Sequence, residues 1–359
     1  MKTYIFIYLL SLLLSLLLTP IVIAVAVKLA IYDRTDPRKV HSGRIARVGG
    51  TAIFISMILS VITAYFMSNS IGESFRYTGT KIFSMLAAGT FIFIVGLIDD
   101  IRPLKTWIKF LAQILAAVFV CAFGIRINVI RIPELFNIHF GFLSWPFTIL
   151  WIVGVTNAVN FIDGLDGLAA GISAIACATI AALSVYFGQP ILCVIMLALA
   201  GALTGFLFFN FNPAKIFMGD CGSLFLGFII ASATVMSTAK SQALVGFALP
   251  LLALGIPIFD TLFIMVNRFG QRKAVFMPDT EHFHHRLLRL GLKQRQVAVL
   301  AYLITLLATG AGVFLMAARS VKSIIMFVSI LVLIVLIFHV IGAVSVKQIM
   351  RALRRKYSN

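Results

Sequence analysis

Residues 143–167 read LSWPFTILWIVGVTNAVNFIDGLDG. The run from Leu143 to Ile162 carries no charge and is about 20 residues long, roughly one bilayer thickness as an α-helix. It then ends in a polar stripe, with Asn157, Asn160, Asp163 and Asp166 at every third position. Each three-residue step drifts by about 60° around a helix, so the first three are expected on one face. Asp163-Gly164 and Asp166-Gly167 read equally as turn formers, but turns do not account for the two asparagines upstream. A stripe of oxygen donors without Lys or Arg suits a hard cation.

Runs of this length recur along the chain. About eleven begin near residues 4, 48, 81, 107, 143, 168, 190, 222, 243, 297 and 323, each long enough to cross a bilayer. Composition agrees, with 61% hydrophobic and 12% charged residues against about a quarter charged in soluble domains. The first run, Ile5 to Val27, is too long for a cleaved signal sequence. The expected fold is therefore all-α: a polytopic helical membrane bundle in which residues 1–359 form one integral membrane domain. Cys121, Cys177, Cys193 and Cys221 form no C-x-x-C pair, and neither a disulfide framework nor a zinc site is expected.

The formal net charge of +18 would suggest nucleic acid in a soluble chain. Here the basic residues lie between apolar runs, so nucleic acid is set aside and anionic lipid and topology explain them better. Most collect on one side, in 28–47, 102–109, 268–295 and the tail from Lys347. The positive-inside rule makes that side cytoplasmic, with the N-terminus outside and the C-terminus inside. Every acidic residue except Glu73 and Glu134 falls on the same side. Acidic residues contribute little to topology, so a cytoplasmic site that uses carboxylates is the natural second cause.

Several features could build such a site. Asp99-Asp100 closes the third run. One Asp there is a helix end meeting water, whereas two adjacent ones repel unless a cation relieves them. Lys109, one turn into the next run, either snorkels or pairs with those aspartates or a phosphate. In Phe217-Met218-Gly219-Asp220-Cys221-Gly222-Ser223, Asp220 stands where a helix starts, as an N-cap or beside a bound phosphate, and Phe217 offers a face for a base. Glu281-His282-Phe283-His284-His285-Arg286 is expected as a cytoplasmic loop whose imidazoles and guanidinium could read diphosphate or sugar oxygens. Asp260, in Pro257-Ile258-Phe259-Asp260, has no evident role. A secondary transporter is the rival class, but its carboxylates would lie near the midplane rather than at helix ends.

Taken together, these motifs resemble the polyprenyl-phosphate N-acetylhexosamine-1-phosphate transferase family. The resemblance covers nearly the whole chain: Lys39-Val40-His41 with Arg47-Val48-Gly49-Gly50, Asp99-Asp100, Asn157-x-x-Asn160-x-x-Asp163-Gly164-x-Asp166-Gly167, Phe217-Met218-Gly219-Asp220-x-Gly222-Ser223, and His282-x-His284-His285-Arg286. It implies a multi-pass enzyme of the bacterial inner (plasma) membrane, facing the cytoplasm, that uses Mg²⁺ with Mn²⁺ as a substitute. It further implies a UDP-sugar donor and undecaprenyl phosphate as acceptor, and it allows a homodimer. The His-x-His-His-Arg form is similar to the branch that takes UDP-N-acetylglucosamine and opens teichoic acid, O-antigen or common-antigen synthesis. The peptidoglycan branch, which transfers phospho-N-acetylmuramoyl-pentapeptide, is the alternative. By resemblance, Asn160 and Asp220 contact metal. Asp99, Asp100, Asp163 and Lys109 handle the acceptor and phosphate. Asn157, Asp166, Asn212, Phe217, Lys39, His41, Arg47, His282, His284, His285 and Arg286 contact substrate.

The charge distribution sets a topology that labelling can check. In intact cells, cysteines introduced as Arg272→Cys and Arg354→Cys are expected to resist membrane-impermeant thiol reagents, and Glu73→Cys is expected to label. Labelling of the first two from outside would reverse the orientation.

Overall fold

The computed structural model describes residues 1–32, 45–77, 79–132, 136–240, 250–270, 283–318, 329 and 332. Lys39, His41, His282 and nearly all of the run expected from residue 323 lie outside them, as does the start of the run expected from residue 243.

The described chain is a helical bundle. Its helices in chain order are α1 Lys2–Lys28, α2 Gly50–Phe66, α3 Ser70–Tyr77, α4 Gly79–Ile101, α5 Thr106–Ala122, α6 Ser144–Ile162, α7 Leu168–Tyr186, α8 Pro190–Asn210, α9 Gly219–Lys240, α10 Gly255–Gly270, α11 Phe283–Arg289 and α12 Gln294–Ala318. Seven of them, α1, α4, α6, α7, α8, α9 and α12, are long and apolar enough to cross a membrane. The protein is thus a polytopic helical membrane protein. The runs expected from residues 48 and 107 form the 17-residue helices α2 and α5, about 26 Å long and just short of a full hydrocarbon core.

Two elements lie outside the expected apolar runs, and the first also departs from the all-α expectation. The first is a hairpin, β1 Val129–Ile132 against β2 Phe136–His139, antiparallel with Ile130 opposite Ile138. Its β-branched Val129, Ile130 and Ile132 favour extended backbone, and the segment is too short to register among the long apolar runs. The second is α3, whose first turn is held by the side chain of Asn69 accepting from the N–H groups of Ile71 and Gly72.

α9 is the centre of the bundle. Its most apolar stretch is 94% buried, against 22% for α1, which faces outward. α2, α4, α6 and α7 pack around α9, and α1 packs on α8. Membrane helices gain little from hydrophobicity against one another, so close approach through small residues matters. At Gly96 of α4 a Cβ would lie 2.6 Å from Cα of Cys221, so only glycine lets α4 reach the first turn of α9. That crossing brings Asp99 and Asp100 to Asp220.

Candidate active site

The ends of α4, α6 and α8 and the starts of α2, α5, α7, α9 and α12 meet at one pole of the bundle. The chain just before α2 is tied to the loop before α9. Phe217 donates its N–H to the carbonyl of Ala46 at 2.8 Å, and the N–H groups of Gly49 and Gly50 donate to the carbonyls of Phe217 and Met218. This pairing carries Arg47 to the mouth of α9.

Five charged side chains interlock there. Arg47 donates from Nη2 to Oδ1 of Asp220 at 2.6 Å, and its Nε stands 3.3 Å from Oδ1 of Asp100. Lys109 Nζ donates to Oδ2 of Asp220 at 2.8 Å and to Oδ2 of Asp99 at 3.1 Å. Asp99 also accepts from the N–H of Leu104 at 2.7 Å, which fixes the turn between α4 and α5. Asp100 is fully enclosed and accepts from the N–H groups of Asp220 and Cys221, both at 2.9 Å. It therefore satisfies two of the orphan donors at the start of α9, with its charge at the positive end of the helix. Asp220 is not the cap of its own helix; Asp100 performs that task from α4. Gly219, at φ +76°, makes the turn, and a Cβ there would lie 2.5 Å from Oδ2 of Asp100.

The polar stripe of α6 divides. Asn157 Nδ2 donates to Oε1 of Gln113 on α5 at 2.6 Å, and Asn160 Nδ2 donates to Oγ of Ser223 on α9 at 2.7 Å. Asp163 is the cap residue after the helix ends at Ile162. Asp166 accepts through Oδ2 from Asn212 Nδ2 at 2.8 Å and from the N–H of Ala214 at 3.1 Å. Asn157 and Asn160, both on α6, bond to α5 and α9, while Asp166, beyond the end of the helix, bonds to the loop after α8. Behind Asp166, Asn210 bridges the N–H of Gly167 and the carbonyl of Ile216, and Tyr302 donates to the carbonyl of Gly167 at 2.6 Å.

The expectation that the His-x-His-His-Arg segment is a loop is also corrected. From Phe283 it is helical, as α11. Arg286 is buried at 6% exposure and stacks over the ring of Phe263 on α10 at 4.4 Å. His285 is half-buried. Phe217 is half-buried and hydrogen-bonded to Ala46, next to Arg47, and Asp260 is buried in α10 at 1% exposure. Gln113 is a participant that sequence reasoning missed. It lies one turn beyond Lys109 on the same face of α5, and a lone amide there was the available signal.

Three carboxylates share two cations in this cluster, so with every group ionised it keeps an excess of negative charge. Among the described residues no three His, Cys, Asp or Glu side chains form a metal cage. Mg²⁺ does not need one, since it usually binds through one or two carboxylates together with substrate phosphates. Asp220 in the first turn of α9 and Asn160, which donates to Ser223 of the same helix, carry hard oxygen donors and fit that pattern.

Comparison with known proteins points the same way. Residues 82–238 match the sequence model of glycosyl transferase family 4, a region that includes Asp99, Asp100, Lys109, the α6 stripe and Asp220. The chain is 36% identical over 324 residues, 90% of its length and 88% of the relative's, to a protein of Bacillus subtilis named "probable undecaprenyl-phosphate N-acetylglucosaminyl 1-phosphate transferase". It is 36% identical over 77% of its length and 73% of the relative's to a decaprenyl-phosphate N-acetylglucosaminephosphotransferase of Mycobacterium tuberculosis. It is 29% identical over 92% of its length and 90% of the relative's to an undecaprenyl-phosphate alpha-N-acetylglucosaminyl 1-phosphate transferase of Escherichia coli.

The capping role of Asp100 gives a stability test. In Asp100→Asn the amide can accept from only one of the two N–H groups and leaves the other buried and unpaired, at a cost of about 1–3 kcal/mol. Its melting temperature in detergent is expected to fall, and that of Asp166→Asn, whose carbonyl can keep the Oδ2 contacts, to fall less. Equal melting of Asp100→Asn and the wild type would refute the cap.

Proposed function

The chain belongs to glycosyl transferase family 4, and from that premise we propose that it transfers N-acetylglucosamine 1-phosphate from UDP-N-acetylglucosamine to undecaprenyl phosphate. The products are undecaprenyl-diphosphate-N-acetylglucosamine and UMP, and the reaction is the first membrane step of a cell-surface polysaccharide. The observation that carries the reading is the five-membered cluster of Arg47, Asp99, Asp100, Lys109 and Asp220 at one pole of an apolar bundle. It sets paired cations and carboxylates at the ends of apolar helices, where a lipid phosphate and a nucleotide diphosphate would meet. The basic segments support a cytoplasmic position for that pole, in a bundle of about eleven spans over residues 1–359.

One phosphoanhydride replaces another, so no ATP is needed. An oxygen of the acceptor phosphate attacks the β-phosphorus, the bond to the bridging oxygen breaks, and UMP leaves with the electron pair. The acceptor is already an anion at neutral pH, so positioning and neutralisation matter more than a general base. Lys109 and Arg47 exchange part of their contact with Asp220 for phosphate oxygens. Asp99 keeps Lys109 aimed at the pole, and Asp100 fixes the first turn of α9. Phe217 and Asp166 flank the nucleotide, with Asn212 and Ala214 orienting Asp166. Arg286, braced on Phe263, presents its guanidinium to the sugar phosphate. Mg²⁺ held by Asn160 and Asp220 would neutralise the diphosphate and align it for in-line displacement.

The donor is the finer assignment, and competition tests it. Purified protein is supplied with Mg²⁺, undecaprenyl phosphate and equal concentrations of UDP-N-acetylglucosamine and UDP-N-acetylmuramoyl-pentapeptide, and the lipid products are separated by mass. The N-acetylglucosamine product is expected with stoichiometric UMP. A dominant muramoyl-pentapeptide lipid would reassign the chain to the peptidoglycan branch, and absence of UMP with every UDP-sugar would overturn the reaction class.

A further inference from the structure

The opposite pole of the bundle has a polar feature that the transfer does not use. A cavity of about 490 Å³ lies between the start of α4, the chain after α5, the α7–α8 turn and the end of α9, within the size range of small-ligand sites. Lys81, near the first residue of the 23-residue α4, lines it, while Asp99 stands near the last, so the two poles are about 27 Å apart. The cavity therefore opens toward the other face of the membrane.

Its polar lining consists of Lys81, Arg126, Gln189 and the hydroxyl of Ser74, and among the described lining residues none is acidic. Two donors are buried without an acceptor among the described residues: Nε of Arg126 and Nε2 of Gln189. Gln189 is only 8% exposed. Arg126 lies over the ring of Trp145 at 5.2 Å, and Lys81 is exposed. Interfacial anchoring explains an arginine on a tryptophan and a lysine that snorkels. It does not explain an enclosed amide in the same cavity that has no acceptor among the described residues. Buried donors are nearly always satisfied, and a set of donors without a carboxylate calls for an anion with several acceptor oxygens. Ile191 and Met236 add an apolar wall, which a free ion would leave in contact with water and an amphiphile would cover.

We propose that this cavity binds the phosphate headgroup of an anionic phospholipid from the leaflet opposite the charged cluster. Arg126, Gln189 and Lys81 take the phosphodiester oxygens, and Ile191 and Met236 take the adjoining glycerol and first methylenes. Basic pockets between membrane helices bind anionic headgroups by this chemistry.

Native mass spectrometry of the full chain tests the proposal with phosphatidylglycerol, phosphatidylcholine and inorganic phosphate as probes. The wild type is expected to retain phosphatidylglycerol in preference to phosphatidylcholine. Lys81→Met and Gln189→Leu are each expected to weaken that retention about fivefold, as loss of one cation or one hydrogen bond implies. Lys28→Met, which removes an exposed cation outside the cavity, keeps it. Lys81 is exposed, so Lys81→Met is expected to melt like the wild type without lipid, which separates lost binding from lost fold. Retention unchanged in both cavity variants, or equal retention of the two lipids, overturns the site. Binding of inorganic phosphate alone that is lost in the same variants, without preference for the anionic lipid, overturns the lipid assignment in favour of a free-anion site.

Discussion

The first turn of α9 is buried where several helix ends converge, and its backbone N–H groups have to be satisfied without water. Asp100 does this from the end of α4, and the rest of the pole follows from that one contact. A carboxylate capping a buried helix start must itself be neutralised, so Arg47 comes in from the chain before α2. The glycine at position 96 permits the approach, and Lys109 joins Asp220 to Asp99 across the α4–α5 turn. Capping, packing and charge balance therefore rest on the same five side chains.

This economy also sets the chemistry. Removing water from like-charged groups is unfavourable unless cations and donors are already in place, and two substrate phosphates brought together present that same difficulty. A pole whose carboxylates and cations are partly mutually compensated has both signs ready. In the proposed reaction its cations pass to phosphate oxygens and its carboxylates then accept a divalent ion. The arrangement is rigid at Asp100, where both oxygens are committed to backbone N–H groups. It is more adjustable at Lys109 and Arg47, whose side chains keep 23% and 30% exposure.

Much of this could be read from the sequence, for identifiable reasons. Apolar runs of bilayer length report directly on membrane helices, and adjacent aspartates ending such a run cost too much to be incidental. Asn160, Lys109, Asp99 and Asp220 were accordingly visible as one-pole residues. What could not be read was pairing across helices. Nothing in the sequence says that Asp100 caps α9 rather than Asp220 capping itself, because the cap is supplied from more than a hundred residues away. The polar stripe gives a common face for Asn157, Asn160 and Asp163 but not their partners, and Asn157 bonds to α5 and Asn160 to α9, while Asp166 bonds to the loop after α8. Arg286 reads from the sequence as part of a cytoplasmic loop because the residues around it are polar. Its burial against Phe263 depends on a tertiary contact that local composition does not encode.

The central claim is that Asp220, with Asn160, forms the metal-binding end of the charged cluster. Titration of the full chain in lipid nanodiscs with Mn²⁺, followed by electron paramagnetic resonance in the presence of UMP, measures this directly. A single bound ion is expected for the wild type and for Asp166→Asn, and it should be lost or markedly weakened in Asp220→Asn and Asn160→Ala when these variants keep a cooperative melt. Undiminished Mn²⁺ binding in folded Asp220→Asn would contradict the claim.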